Sequence, residues 1–385
     1  MTDALIIGGG PAGLMAADVI SAAGYDVVVA DQMPTVGRKF LMAGKSGLNL
    51  TKAEPKTQFH QAYGAAKDAL SPALSAFGPD QVCDWAEGLG QTVFTGTTKR
   101  VFPTVMKASP LLRAWLARLN AQGVQIKTRW RWTGWDDGAC FDTPDGPATI
   151  KATTTVLALG GGSWARLGSD GAWAQTLPDA TNPFKPANMG FEVTWSPHMA
   201  PHFGAAVKGC ALSAGDMVSR GEFVVSAKGI EGGGVYAVSA AVRDGARLIV
   251  DLLPDMSLDE VRARMSSGKA KQSTANMLRK TLKLDPVKRA LFNEFGRNAQ
   301  DMAATLKGLA FPYLSPRPMD EAISTAGGVR FDVLTPDLEL MSNRGVFCAG
   351  EMLDWEAPTG GYLITGCLAT GRHAGLAAVR RLQIS

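Results

Sequence analysis

Three glycines, one aspartate and, far along the chain, one Gly-Glu and one Gly-Gly pair are the residues whose types and spacing could do chemistry. Gly8, Gly10 and Gly13 carry G-x-G-x-x-G spacing within Gly8-Gly9-Gly10-Pro11-Ala12-Gly13, and Asp31, with Gln32 beside it, stands 18 residues beyond Gly13. In such a turn the first glycine permits a tight reversal. The second lets a pyrophosphate approach the backbone, and the third lets the helix lie close to the strand. Free N–H groups at the helix start, with the positive end of its dipole, favour phosphate charge. A carboxylate at the end of the next strand can accept hydrogen bonds from ribose hydroxyls. The chemistry is that of holding a dinucleotide; an ordinary βαβ turn is the bland alternative.

A second constellation lies over 300 residues later. Cys348-Ala349-Gly350-Glu351 reads as a short strand ending in a bare backbone position and a carboxylate, and Thr359-Gly360-Gly361-Tyr362-Leu363 reads as a turn opening a helix. Ligands of open α/β sheets bind at that carboxyl edge. N–H groups at the helix start suit a ring system that becomes negative when reduced. Between the two lie Gly37-Arg38-Lys39 and the small-residue loop from Ala43 to Thr51, which includes Lys45 and Asn49. Its cations fit a diphosphate and a polyol chain, or equally a solvated basic turn. Arg100 and Lys107 are candidates to bind a substrate carboxylate, or equally surface cations beside Phe102-Pro103.

These residues need an alternating scaffold, and the pattern supplies one. Ala4–Ile7 and Val27–Ala30 read as strands around a helix from Leu14 to Ala23. Helices are expected over 57–74, 79–89 and 110–120, and an extended piece over 99–103. A strand starts at Val124, and Trp130 and Trp132 share strand parity, which predicts packing on one sheet face. Pro144-Asp145-Gly146 signals a hairpin, and Thr153–Leu159 is an apolar strand before Gly160-Gly161-Gly162. From about 188 to 254 the pattern is β-rich, and from Ser257 to Leu309 it is helical and basic, opened by the capping box Ser257-x-x-Glu260. Sheet-building signals return from Ala326, and Tyr362–Leu382 reads as a closing helix. The expected domains are 1–187 with 320–385, an inserted β-rich domain at 188–255, and an inserted helical domain at 256–319.

Composition narrows the classes. The 385 residues carry 39 basic and 35 acidic side chains, a net charge of +4 that suits a bound anion and is too small to argue for nucleic acid or membrane. Lys269, Lys271, Arg279, Lys280, Lys283, Lys288 and Arg289 concentrate charge in the helical segment. Without interleaved aromatic residues they read as a solvated helix face. Five scattered cysteines without a C-x-x-C pair predict reduced thiols in a cytoplasmic protein, with no redox disulfide and no metal site. No run reaches the 18 or more apolar residues of a membrane span.

Gly9 and Pro11-Ala12 make the first turn resemble the G-G-G-P-A-G form of FAD-binding proteins of the glutathione-reductase type. Nearly the whole chain resembles the BaiN/RdsA-type, aminoacetone-oxidase-like family of bacterial NAD(P)/FAD-dependent oxidoreductases. The matching pieces are Gly8–Gly13, Gly37–Lys39, Asn49–Thr51, Arg100–Pro103, Leu159–Gly162 with Gly168–Gly171, and Gly350-Glu351-x-Leu353-Asp354 with Gly360–Tyr362. The resemblance implies an α/β fold: a Rossmann-like FAD-binding domain of the glutathione-reductase type with an inserted β-rich domain and a small helical domain. It implies hydride transfer between flavin N5 and NAD(P)H or a small organic substrate, NAD(P)H being at most a transient electron donor. On this reading Gly8, Gly10, Pro11, Ala12 and Gly13 hold the diphosphate, Asp31 and Gln32 the AMP ribose, and Arg38 and Lys39 the phosphates or adenosine. Arg131, Trp132, Ala158 and Gly160 would contact adenine, Asn49, Gly350 and Glu351 the ribityl side, and Gly361, Tyr362 and Leu363 the isoalloxazine. The chain departs from the family at G-G-G-R-C-N-L-T, where Gly47 and Leu48 replace the arginine and cysteine, so no role of those two carries over. An amine oxidase releasing peroxide, and a flavin-binding regulator or RNA-associated protein, are the alternatives.

Overall fold

A computed structural model describes residues 2–45, 47–267 and 273–384, so Lys269 and Lys271 of the cationic segment lie outside the described residues. The chain divides into two compact units, Met1–Lys185 with Ser324–Ser385, and Pro186–Ile323.

The first unit is built on a five-stranded parallel sheet. β1 (Thr2–Ile7) leads through α1 (Pro11–Ala22) to β2 (Val27–Asp31). The sheet order runs Val346–Cys348, Ala152–Leu157, β1, β2, Gln125–Thr128. Ala4 to Ile7 are at most 1% exposed, as an uninterrupted apolar run requires when both sheet faces are covered. The closing helix Tyr362–Leu382 packs on α1 through small residues. A Cβ at Gly371 would stand 2.2 Å from the Ala12 carbonyl oxygen, so the two helix backbones nearly touch there. The order brings the carboxyl ends of β1 and of Val346–Cys348 to one sheet edge, with Ala152–Leu157 between them, and sets Gly350 against Ala12 from the opposite end of the chain.

Two antiparallel ribbons flank this sheet. One joins Arg131–Asp136, Gly138–Thr143 and Gly146–Ile150; the other joins β3 (Thr51–Lys52), Arg100–Pro103 and Val93–Thr95. In the first, a bulge between Trp132 and Gly134 shifts the register, and Trp132 packs against Trp135 with ring centroids 5.6 Å apart. Trp130 instead precedes the strand and meets Phe141, so simple parity does not describe these rings. The helix expected over 57–74 is broken into Lys56–Gln61, a short 3-10 turn and Lys67–Ala76, because Gly64 adopts a left-handed φ of 54°. The remaining helices are Pro79–Gly88 and Ala108–Ala121.

The second unit holds two four-stranded antiparallel sheets and the helices Leu258–Ser266, Pro286–Phe295 and Met302–Lys307. Residues 188–255 and 256–319, read from the sequence as separate domains, share one apolar core that includes Leu212, Val250, Leu291 and Leu306. The strand Leu309–Ala310 pairs with Ile249–Val250, returning the helical segment to the sheet it left. The capping box is formed: the Ser257 hydroxyl accepts from the Glu260 N–H at 3.2 Å, and the Glu260 carboxylate accepts from the Ser257 N–H at 2.7 Å. Lys288 is a correction to the solvated cationic face. It is 8% exposed and its ammonium donates to the carbonyls of Gly209 (2.6 Å) and Leu252 (2.9 Å), since a buried cation must find acceptors.

Candidate cofactor cradle and its acidic edge

The glycine turn is tight for the reason its sequence suggests. At Gly8, φ is 108° and an added Cβ would meet the Ala158 carbonyl oxygen at 2.2 Å; at Gly13 it would meet the Gly8 oxygen at 1.9 Å. Ala158 donates its N–H to Ile7, which fixes that neighbouring strand end beside the turn. Gly10 is different: nothing lies within 4 Å of its Cβ position. It is the N-cap of α1, with Pro11 at the first helical position. Gly10 is therefore the open point of the turn, where a phosphate could reach the helix N–H groups.

Asp31 closes β2 and also builds the turn. Its two carboxylate oxygens accept from the Gly9 and Met33 N–H groups, each at 2.7 Å. Burial raises its pKa, partly offset by the Met33 and Gly9 N–H groups and the Arg38 charge. Each carboxylate oxygen keeps a further lone pair for a ribose hydroxyl. Gln32 points its amide to the Gly168 carbonyl at 2.7 Å. Arg129 and Trp130 donate backbone N–H groups to Met33 and Asp31, which carries Arg131 and Trp132 to the same strand end. Arg131 pairs with Asp170 at 3.4 Å, and the buried indole nitrogen of Trp132 has no partner.

α2 (Arg38–Ala43) separates its first two cations. Arg38 lines a cleft of about 360 Å³ with Thr35, Leu41, Met42, Lys45 and Leu167, and its buried Nε lacks a partner. Lys39 turns to the other constellation, donating to Ser163 Oγ at 3.2 Å and Glu351 Oε2 at 3.0 Å. Glu351 Oε1 accepts from the Thr325 N–H at 3.1 Å, while Thr325 Oγ1 accepts from Gly162 and Ser163. Gly160 is held next to this loop, its carbonyl accepting from Trp173. Gly350 spends both backbone groups internally, donating to Thr370 and accepting from Trp355, each at 2.9 Å.

The third part of the cradle lies where β3 meets the closing helix. An added Cβ at Gly361 would stand 2.4 Å from Thr51 Cα, and the Gly361 φ is 102°, so only glycine fits this crossing. Thr365 donates to Thr51 across it at 2.9 Å. Asn49 and Arg100 come within 3.9 and 3.6 Å of the Gly360 Cβ position, and the buried Asn49 Oδ1 is unpartnered. Tyr362 is buried, its hydroxyl between Lys52 and Glu54; Leu363 packs on the core as a half-buried side chain. Lys107 is exposed at the N-cap of Ala108–Ala121, and none of the described contacts bring it to this group.

These observations fit a long dinucleotide. An open glycine heads a helix, a cation with a free buried N–H stands near the ribose acid, and Asn49, whose buried Oδ1 has no partner, brings its amide nitrogen beside the distal glycine pair. Ser163, Thr325, Lys52 and Glu54 were not singled out from the sequence. Single polar residues in strands and turns carry no spacing signal, and only the fold reveals their partners. The replaced family positions are also accounted for: Leu48 is fully buried, and Gly47 has a φ of 123° with Met106 against it. Among the described residues no cluster of three His, Cys, Asp or Glu could hold a metal, and no helix is long and apolar enough to cross a membrane.

Comparison with known proteins gives a consistent picture. The family model described as HI0933-like protein Rossmann domain matches residues 2–377. The chain is 28% identical over 410 residues to a 3-dehydro-bile acid delta(4,6)-reductase of Clostridium scindens, covering 98% of both chains. It is 24% identical over 386 residues to a ribosomal RNA dihydrouridine synthase of Escherichia coli, covering 94% of both. Among solved structures, a 3-ketosteroid delta1-dehydrogenase from Sterolibacterium denitrificans superposes with a TM-score of 0.54 at 11% identity, covering 98% of this chain and 99% of that one, a likeness of fold.

Proposed function

The chain belongs to the HI0933-like Rossmann-domain family and is an FAD-dependent oxidoreductase; from that premise we propose that it saturates a carbon–carbon double bond conjugated to a carbonyl, drawing electrons from NAD(P)H. The observation that supports the flavin site is the cradle's three-part geometry, with Gly10 open at one end and Asn49, Arg100 and Gly360 converging at the other. When bound, FAD supplies the hydride chemistry; the protein's part is binding, orientation and charge.

On this reading the diphosphate lies at Gly8, Gly10 and Gly13, with Pro11 and Ala12 setting the helix start. Asp31 and Gln32 meet the AMP ribose, and Arg38 the phosphates or adenosine. Arg131, Trp132, Ala158 and Gly160 border the adenine. Lys39 and Glu351, being paired, act together on the ribityl side with Asn49, while Gly350 shapes the turn through backbone contacts. Gly361, Tyr362 and Leu363 border the flavin ring, the arrangement of a glutathione-reductase-type FAD domain. Arg100 faces the substrate as a cation for a carbonyl or carboxylate oxygen.

The substrate class rests on what the two relatives' names share. The names describe reduction of ring double bonds in a 3-dehydro-bile acid and formation of dihydrouridine from a uridine ring, and both fit hydride addition at the far carbon of a double bond conjugated to a carbonyl. Anaerobic bleaching of the FAD-loaded protein with NADH or NADPH, followed by reoxidation with cyclic enones, uridine-containing RNA or oxygen, tests the reading. Enone-driven reoxidation is the expected result. Reoxidation by RNA alone would move the substrate to a uracil ring, and amine-driven bleaching with peroxide release would replace the reading with an oxidase. A purified protein without flavin absorbance, even after FAD is added, would sink it.

A further inference from the structure

Lys52, Glu54 and Tyr362 form a ring of two hydrogen bonds closed by an ion pair, which holding a dinucleotide does not require. The Lys52 ammonium donates to the Tyr362 hydroxyl at 3.0 Å and lies 3.0 Å from Glu54 Oε2. The hydroxyl in turn donates to Glu54 Oε1 at 2.5 Å. The Glu54 side chain is 1% exposed and that of Lys52 is 27% exposed, so the ring runs from a sealed carboxylate to an ammonium that reaches water. Burying a carboxylate is costly, and apolar residues of similar volume would tie β3 to the closing helix at least as well. The polar ring therefore points to a chemical use.

Its surroundings say which use. Lys52 and Arg100 are cross-strand partners, so both cations stand side by side on one face of the ribbon. Arg100 Nε, Asn49 Nδ2 and a Tyr362 ring carbon lie 3.6, 3.9 and 4.0 Å from the Cβ position of Gly360. Among the described residues Arg100 has no ion pair. From the helix side, the Tyr63 hydroxyl donates to the Tyr362 carbonyl at 2.8 Å. The groups that touch the Tyr362 hydroxyl are thus Lys52 and Glu54, while Phe59 packs on its ring with centroids 4.8 Å apart and Arg100 stands beside Lys52 on the neighbouring strand.

We propose that Tyr362 is the acid that protonates the substrate carbon, that Lys52 resupplies its proton from water, and that Glu54 holds the two in line. The inference rests on the double-bond reduction proposed above. Addition of hydride to one carbon of the conjugated bond pushes the π electrons onto the carbonyl oxygen, which Arg100 faces. The Tyr362 O–H bond then breaks as a C–H bond forms at the other carbon. The tyrosinate takes a proton from the Lys52 ammonium, and the Lys52 amine takes one from water. Two electrons and one hydrogen come with the hydride, and one proton comes from solvent.

Two measurements test this. In Tyr362→Phe, read on the flavin-loaded fraction, the ratio of enone-driven to oxygen-driven flavin reoxidation should fall about 100-fold or more, the scale of a lost general acid. A ratio equal to wild type overturns the relay. The second needs no flavin. With [13Cζ]tyrosine, the five tyrosines are titrated by NMR and Tyr362 is assigned from its loss in Tyr362→Phe. Its pKa should fall in Glu54→Gln and rise in Lys52→Met; insensitivity to both overturns the ring. A wild-type flavin that no conjugated carbonyl reoxidises overturns the double-bond reading and the acid role with it, a result separable from a Phe variant that matches an active wild type.

Discussion

Lys39 Nζ lies 3.0 Å from Glu351 Oε2, joining two residues 312 positions apart, with side chains 25% and 14% exposed. The lysine comes from α2, just past the dinucleotide turn, and the glutamate from the loop after the last strand of the sheet. Ser163 and Thr325 complete the group from two further segments. Four separate stretches of chain thus converge on one ion pair. This explains how a cradle begun by the first thirty residues is finished by the last forty.

The pair should matter to cofactor binding more than to folding. Removing one partner strands a half-buried charge, worth about 1–3 kcal/mol. Since about 1.4 kcal/mol is tenfold in affinity, Glu351→Gln and Lys39→Met are each expected to weaken FAD binding roughly tenfold. Flavin fluorescence titration of the apoprotein checks this, and wild-type affinity in both variants would contradict it.

Gly10 and Gly13 should separate binding from folding. Gly13→Ala drives a methyl into the Gly8 carbonyl and should unfold or strongly destabilise the apoprotein. Gly10→Ala meets nothing within 4 Å, so the apoprotein should melt like wild type while FAD affinity drops at least tenfold. If Gly10→Ala binds FAD normally, the phosphate does not approach there.

Asp31→Asn replaces one carboxylate oxygen by a donor that faces a backbone N–H. A stability loss of about 1–3 kcal/mol at neutral pH is expected from that unsatisfied pair. The pH dependence has a definite sign. Burial raises the Asp31 pKa above 3.8, so the folded chain holds the proton more tightly than the unfolded chain. Wild-type stability relative to Asp31→Asn should therefore fall as pH rises from 3.8 through the raised value, then stay level. Denaturant melts at intervals from pH 3.5 to 8 read this directly; a gap that widens with pH would show the opposite shift.

Thiol chemistry should be absent from turnover. Burial pushes the Cys83 and Cys210 thiols up to about 11 and Cys367 up to about 12, and it also raises Cys348. The reactive thiolate is thus scarce at neutral pH. Iodoacetamide at pH 8 should leave these four unmodified in the folded protein, as peptide mass mapping would reveal. Anaerobic reduction should consume two electrons per flavin, and uptake of four would implicate a disulfide.

The second unit offers a test independent of the cofactor. Ser257→Ala removes the hydroxyl that accepts the Glu260 N–H and should cost about 1 kcal/mol in a denaturant melt. An unchanged midpoint would mean that water replaces the cap fully.

The sequence by itself determined what is local and periodic: the buried β1 run, the turn at Gly8 to Gly13, the acid closing β2, the Ser257 cap and the long closing helix. Each is written by residues within a few positions of one another, where sterics and hydrogen-bond geometry leave one solution. It also told that a carboxylate at Glu351 belongs at a sheet edge. Only the tertiary structure decided what that carboxylate meets, because the Lys39 ammonium and the Thr325 backbone reach it through contacts between remote segments. The same holds for Lys52 and Glu54, which are unremarkable in the chain until β3 crosses the closing helix at Gly361 and brings them to the Tyr362 hydroxyl. Lys288 shows the converse. Its position in a basic run says solvent, and a core shared by strands and helices made it a buried donor. A polar side chain has no periodicity of its own, so its role is set by whichever acceptor the fold brings within reach.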